Sequence, residues 1–169
     1  NLMTQTPAHS PSYLATPLKD CDAFIFDMDG TLTVPQHDFD AIRRALDIPQ
    51  GTLILEYLDQ LPHEAQQLKR RELDQIEANI ASESQPAPGL IELLTALQQQ
   101  NLGMAVLTRN SAANAHISLR AIGAIGYFTP ETIIGREEAA PKPDPAGINL
   151  LAERLGTHPA QCAMVGDYR

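Results

Sequence analysis

Phe26-Asp27-Met28-Asp29-Gly30-Thr31-Leu32 follows directly on Asp22-Ala23-Phe24-Ile25. The short apolar and aromatic run up to Phe26 reads as a buried parallel strand. Such a strand delivers Asp27 and Asp29 to its C-terminal end, the edge of an open α/β sheet where ligands bind. Side chains alternate along extended backbone, so the two carboxylates point one way and Met28 the other. Gly30 supplies a residue free to take positive φ where the chain turns away. Two carboxylates this close repel each other unless a cation lies between them or one carries a proton. The first remedy makes a metal site, the second an acid beside a nucleophile.

The 169-residue chain is long enough for one core with a small insertion. Its hydrophobic fraction of 43% and charged fraction of 20% fit a water-soluble globular protein. A formal charge of −9 excludes a basic face, and with it nucleic acid as the expected partner. A few local cations still suffice to bind one phosphate. No apolar run approaches the length of a membrane span. The first residues lack the basic-then-apolar pattern of a secretory signal, so the expected location is cytoplasmic. Cys21 and Cys162 both stand at expected strand starts and read as buried free thiols.

Outward from the first strand, residues 1–19 carry Pro7, Pro11 and Pro17 among small polar residues and read as an irregular lead-in. Residues 34–86 change texture, to helices with few strand formers. Phe39, Ile42 and Leu46 recur at helical spacing, and a leucine-rich helix is expected from Thr52 to Asp59. Pro62 opens a long helix reaching Ser82. The block has no strand and looks too short for a core of its own, so it is expected to be a helical cap inserted in residues 20–33 and 87–169. After the linker Pro86-Ala87-Pro88-Gly89, Leu90, Leu94 and Leu97 mark a core helix. Met104-Ala105-Val106-Leu107 reads as a second strand, delivering Thr108, and a helix follows from Ala112 to Ile122. A third strand is expected over Glu131 to Gly135, a helix from Pro145 to Leu155, and a fourth strand over Cys162 to Gly166, delivering Asp167. Alternating strands and helices predict a Rossmann-like parallel sheet covered on both faces, an α/β fold that brings Asp27, Thr108 and Asp167 to one edge.

The acidic run resembles the first motif, Asp-x-Asp-Gly-Thr-Leu/Val, of the haloacid dehalogenase-like (HAD) superfamily, within it the phosphoglycolate-phosphatase-like subgroup with a helical cap at this point. The likeness runs from about Cys21 onward. Val106-Leu107-Thr108-Arg109-Asn110 resembles the second motif, Lys142 between Pro141 and Pro143 the third, and Val165-Gly166-Asp167 the start of the fourth. The fourth motif has a second acid beyond the point where this chain stops, so the resemblance implies a C-terminally incomplete core.

The resemblance implies a Mg²⁺-dependent phosphoric monoester hydrolase acting on a small phosphorylated substrate. Asp27 would be the nucleophile that forms an aspartyl-phosphate, and Asp29 the general acid and base. Thr108, Arg109, Asn110 and Lys142 would grip the phosphoryl group, and Asp27, Asp29 and Asp167 would hold the metal. A monomer or weak homodimer is expected. Haloacid dehalogenase itself fits poorly, because it lacks the second acid. The alternatives are a sugar-phosphate mutase of the same family, or a non-catalytic interaction module that keeps the fold. On the long cap helix, Ala65, Leu68, Ile76 and Ile80 are expected to share one face, with Lys69 and Glu72 in the same arc. Lys69 either pairs with Glu72 at i, i+3 or faces the active site, and Arg43 is a second candidate for that position.

Overall fold

In the computed structural model, which describes residues 18–166, strand β1 (Ala23–Phe26) lies inside a four-stranded parallel sheet. Its neighbours are β2 (Gly103–Leu107) and β4 (Cys162–Val165), and β3 (Ile133–Ile134) completes the order β3-β2-β1-β4. Phe26 stands opposite Val106 and Val165, and Leu107 opposite Ile134, so all four strands end at one edge. β3 is shorter than expected, because Pro130 starts a 3-10 turn closed by Thr129 and Thr132, and extended pairing begins only at Ile133.

The period-2 pattern of β1 and β2 divides the core between two faces. Phe26 and Val106 pack with α4 (Leu90–Gln99) and α5 (Ala112–Ala121), through Leu90, Leu94, Leu97, Ala115 and Leu119. Ile25, Ala105 and Leu107 pack on the other face with Leu151 of α6 (Ala146–Arg154). Met28 joins the first face, in step with Phe26, while Asp27 falls on the parity of Ile25. Cys21 and Cys162, at adjacent strand starts, are not joined in a disulfide; Cys21 is buried as expected, but Cys162, on the outer strand of the described sheet, is only half-buried, and its partial burial, with Cys21 and Asp22 nearby, pushes its thiol up. No helix among the described residues is long and apolar enough to cross a membrane. The first 17 residues of the expected lead-in, and Asp167, lie outside the described residues.

Between β1 and α4 the chain forms the cap insertion, helices α1 (Phe39–Ala45), α2 (Ile54–Asp59) and α3 (His63–Ser82). Contrary to the expectation from its length, this block has a core of its own: Ile42, Leu46, Ile48, Leu58 and Leu73 are buried together. Helix α1 starts where the Asp38 carboxylate accepts the Ala41 N–H, 3.0 Å away. Ile42 and Leu46 bury as the spacing predicts, but Phe39 is 55% exposed and stacks on His37 instead. The face of α3 is also corrected. Leu73 and Ala81 are its buried residues, whereas Leu68 is 56% exposed. At 100° per residue Leu68 stands about 140° from Leu73, too far round to share its stripe.

Two features tie the insertion to the sheet. Helix α3 packs along α5, and the Ser84 hydroxyl donates to Ser118 Oγ at 3.1 Å. The two linkers also bond to each other: Val34 N–H donates to Gln85 O, Ala87 N–H to Leu32 O, and Thr33 forms an antiparallel bridge with Pro86.

Candidate active site

At the end of β1 the backbone continues the ladder by one bond, Asp27 N–H to Val165 O at 2.8 Å, and then curls. Gly30 takes φ 78°, the left-handed conformation the turn requires. The N–H groups of Thr31, Leu32 and Thr33 all point at Met28 O, within 3.0–3.2 Å. The acidic loop is therefore wound round one carbonyl, with Met28 anchored in the core beneath it.

Asp27 Oδ1 accepts a hydrogen bond from its neighbour Met28 N–H at 2.9 Å and forms an ion pair with the Lys142 ammonium at 3.1 Å. Lys142 also donates to Leu107 O at 3.2 Å, so its charge is held between the ends of β1 and β2. The two side chains are 11% (Lys142) and 19% (Asp27) exposed. Both of these Asp27 contacts among the described residues fall on Oδ1.

The loop after β2 is braced from within. Thr108 is buried and its Oγ1 accepts the Asn110 N–H at 3.1 Å. Asn110 Oδ1 accepts from Ser111 N–H and from the Asn114 side-chain amide, and Ser111 caps α5. The Arg109 guanidinium donates to Lys142 O at 2.6 Å, so the second and third motifs hold each other. Arg136 N–H donates to Asn110 O at 3.0 Å, joining the loops after β2 and β3.

Asp27, Asp29, Thr108, Arg109, Asn110 and Lys142, expected from sequence, thus come from three loops to one sheet edge. Gly166, which precedes Asp167, directly follows β4, whose last residue Val165 pairs with Phe26. Lys69 and Arg43 do not turn toward this edge. Lys69 pairs with Glu72 and Asp47, both at 3.7 Å. Arg43 Nε donates to Thr52 O at 2.7 Å, and its Nη1 pairs with Asp40.

A cleft of about 390 Å³ opens between Asp29 and the cap. Its further walls are residues sequence reasoning missed, among them His37, Glu77 and Arg136. Arg136 lies 3.8 Å from both Asp74 and Glu77 of α3. Burial pushes the Glu77 carboxyl above its usual range; Arg136 and His37 oppose this, while Asp74 and Asp29 add to it. Two signals could mark Glu77 and Arg136 singly, though not their pairing. Glu77 interrupts an otherwise apolar stripe between Leu73 and Ile80, and Arg136 follows the third strand at the edge that carries Asp27.

A family model described as haloacid dehalogenase-like hydrolase matches residues 21–168. An uncharacterised hydrolase of Saccharomyces cerevisiae is 31% identical over 153 residues, 89% of this chain and 70% of its own length. A phosphoglycolate phosphatase of Mannheimia succiniciproducens is 33% identical over 103 residues, 61% of this chain and 46% of its own length. The chain thus spans about half to seven tenths of these two relatives. Among solved structures, a HAD hydrolase of family IA, variant 3, from Entamoeba histolytica superposes with TM-score 0.68 at 20% identity, over 85% of this chain and 74% of that one. Such a likeness speaks for the fold alone, but the family model covers nearly the whole described chain, acidic loop included. The chain belongs to the haloacid dehalogenase-like hydrolase family.

Proposed function

We propose that this chain is a phosphoric monoester hydrolase that cleaves a small phosphorylated metabolite through an aspartyl-phosphate on Asp27. The observation that carries this reading is the division of labour on Asp27, whose Oδ1 is tied by Met28 N–H and Lys142 while no such contact among the described residues falls on Oδ2. A carboxylate held by one oxygen is aimed with the other.

In the proposed reaction Asp27 Oδ2 attacks phosphorus in line, and the bond from phosphorus to the ester oxygen breaks. Asp29 donates its proton to the departing alcohol. It then removes a proton from the water that attacks the aspartyl-phosphate, releasing inorganic phosphate and restoring Asp27. Lys142 offsets charge on the phosphoryl oxygens, and Thr108, Arg109 and Asn110 orient them. The Asp27 carboxylate and the Asp29 carbonyl, together with the Asp167 carboxylate from beyond the described residues, would offer a bound cation oxygen donors alone, which suits a hard cation such as Mg²⁺. When bound there, Mg²⁺ supplies charge neutralisation at the phosphoryl group. Residues 34–86 act as the cap, residues 20–33 and 87–169 as the core, and the protein works in the cytoplasm as a monomer or weak homodimer.

The test is release of inorganic phosphate from p-nitrophenyl phosphate and a panel of phosphorylated metabolites, with Mg²⁺ and with chelator. Asp27→Asn is expected to abolish release, and normal turnover by that variant would refute the assignment. Return of the phosphoryl group to a second hydroxyl, with no phosphate released, would point to a mutase instead.

A further inference from the structure

In the reading above, the leaving group departs beside Asp29 and therefore occupies the cleft. The charges on the walls of that cleft are arranged unevenly. Glu77 reaches it from α3 with a side chain only 16% exposed, and its Oε2 is buried without a hydrogen-bond partner. Arg136 stands 3.8 Å from that oxygen, within ion-pair range but beyond a hydrogen bond. Lone pairs on Glu77 thus remain unfilled in a desolvated place, a condition that costs free energy until a donor arrives.

The two cations of the cleft are already engaged. Arg136 is shared between Glu77 and Asp74, and Arg109 donates to Lys142 O. A carboxylate entering with the substrate would add to Glu77 and Asp29 where Arg136 is already shared between two carboxylates and Arg109 serves the phosphoryl group in the reading above. The lining also has an apolar part, Pro35, Phe39 and Leu55; Phe39 is 55% and Leu55 46% exposed. His37 stacks on the Phe39 ring, with centroids 5.6 Å apart and planes inclined by 21°. A cleft lined by a carboxylate short of donors and by apolar side chains suits a molecule that carries both hydroxyl donors and C–H groups. The volume of about 390 Å³ exceeds what a two-carbon acid fills.

We propose that Glu77, held by Arg136, is a specificity-determining residue. It accepts a hydrogen bond from a hydroxyl of an uncharged, polyhydroxylated leaving group and excludes leaving groups that carry a carboxylate. The proposal rests on the phosphatase reading and adds the class of alcohol to it. Like charges forced together in a low-dielectric cleft act through such exclusion as much as through attraction to the right ligand.

The experiment compares pairs that differ only by a carboxylate: glycerol 3-phosphate with 3-phosphoglycerate, and sorbitol 6-phosphate with 6-phosphogluconate. The readout is the ratio of kcat/KM within each pair, together with the ratio of inhibition constants against p-nitrophenyl phosphate hydrolysis. The inhibition ratio remains measurable even for a pair that turns over slowly. The wild-type chain is expected to favour the neutral member at least about tenfold, the scale of one like-charge contact. Glu77→Gln should bring the ratio below about threefold, because the amide no longer repels an anion. Arg136→Gln should widen it, because Glu77 loses its cation. Circular dichroism confirms that each variant is folded. A wild-type preference for the acids, or a ratio that neither substitution moves, overturns the proposal. So does a preference for O-phosphoethanolamine over glycerol 3-phosphate, which would assign Glu77 to an ammonium. Absence of p-nitrophenyl phosphate hydrolysis by the wild-type chain would instead strike the phosphatase reading itself, so the two failures are told apart.

Discussion

Replacing Lys142 by methionine keeps the length of the stem and removes the charge that faces Asp27. At the observed 3.1 Å, with an effective dielectric constant of about 20, the attraction between the two groups is roughly 5 kcal/mol. Most of this is offset by the cost of taking both groups out of water, since they are only 11% and 19% exposed. Exposed pairs couple by less than about 1 kcal/mol and breaking a buried pair costs about 3–5 kcal/mol, so a coupling near 2 kcal/mol is expected here. The assay is a double-mutant cycle in thermal or urea unfolding over the wild-type chain, Lys142→Met, Asp27→Asn and the double variant. Loss of the bond to Leu107 O is common to Lys142→Met and the double variant, and so cancels from the coupling. The single variant Lys142→Met should melt roughly 4–8 °C lower, at about 2–4 °C per kcal/mol for a chain of this size. Additivity within about 0.5 kcal/mol would refute the reasoning, because it would mean the two charges do not feel each other.

Three further outcomes follow from the packing. A Cβ at Gly135 would press directly on Ala112 N and stand 2.8 Å from Asn110 O, both backbone atoms. Gly135→Ala should therefore cost about 1–3 kcal/mol and lower phosphatase turnover by displacing the Thr108–Asn110 loop; an unchanged melting temperature with full activity would contradict this. Glu77 has its carboxyl raised by burial, so the folded state binds this proton more tightly than the unfolded state. The penalty for its charge is fully present above the folded pKa and disappears below the unfolded one. Glu77→Gln should thus raise the melting temperature at pH 7, with the gain fading as pH falls through the carboxylate range, and a gain that grows on acidification would reverse the sign. Leu58, fully buried in the cap cluster, should cost about 2–4 kcal/mol when cut to alanine; a loss under about 1 kcal/mol in urea unfolding would mean that this cluster collapses around the gap.

The sheet and its reactive edge were legible in the sequence because each signal there is local. Ala23–Phe26 and Gly103–Leu107 are continuous apolar runs, and the residues that follow them inherit the sheet edge by backbone continuity. The cap was read less well, because helical periodicity reports that a face is apolar but not which neighbour it meets. In α3 the stripe was drawn to include Leu68, whereas the contacts are made around Leu73, Ile76 and Ile80. Phe39 had the right spacing for burial, yet its position at the start of α1 places it on the rim of the cleft. The pairing of Glu77 with Arg136 is a long-range event. It depends on α3 lying along α5, and no spacing rule within either segment encodes that.

The bonded linkers have a mechanical consequence. Because residues 32–34 and 85–87 are laced together, the cap is joined to the core by one narrow ribbon rather than by two independent strings. A ribbon of this kind resists stretching and shear but yields to rotation about its own axis. Any relative movement of the two parts has to pass through that single angular coordinate, and leverage converts small angles into large openings. Helix α3, at 20 residues, is about 30 Å long, so about 10° of pivot carries its far end through about 5 Å. That swing would have to break the Ser84–Ser118 bond near the pivot and the contacts of α3 with α5 and Arg136 further along. Residues far from the phosphoryl group thereby govern how wide the entrance stands.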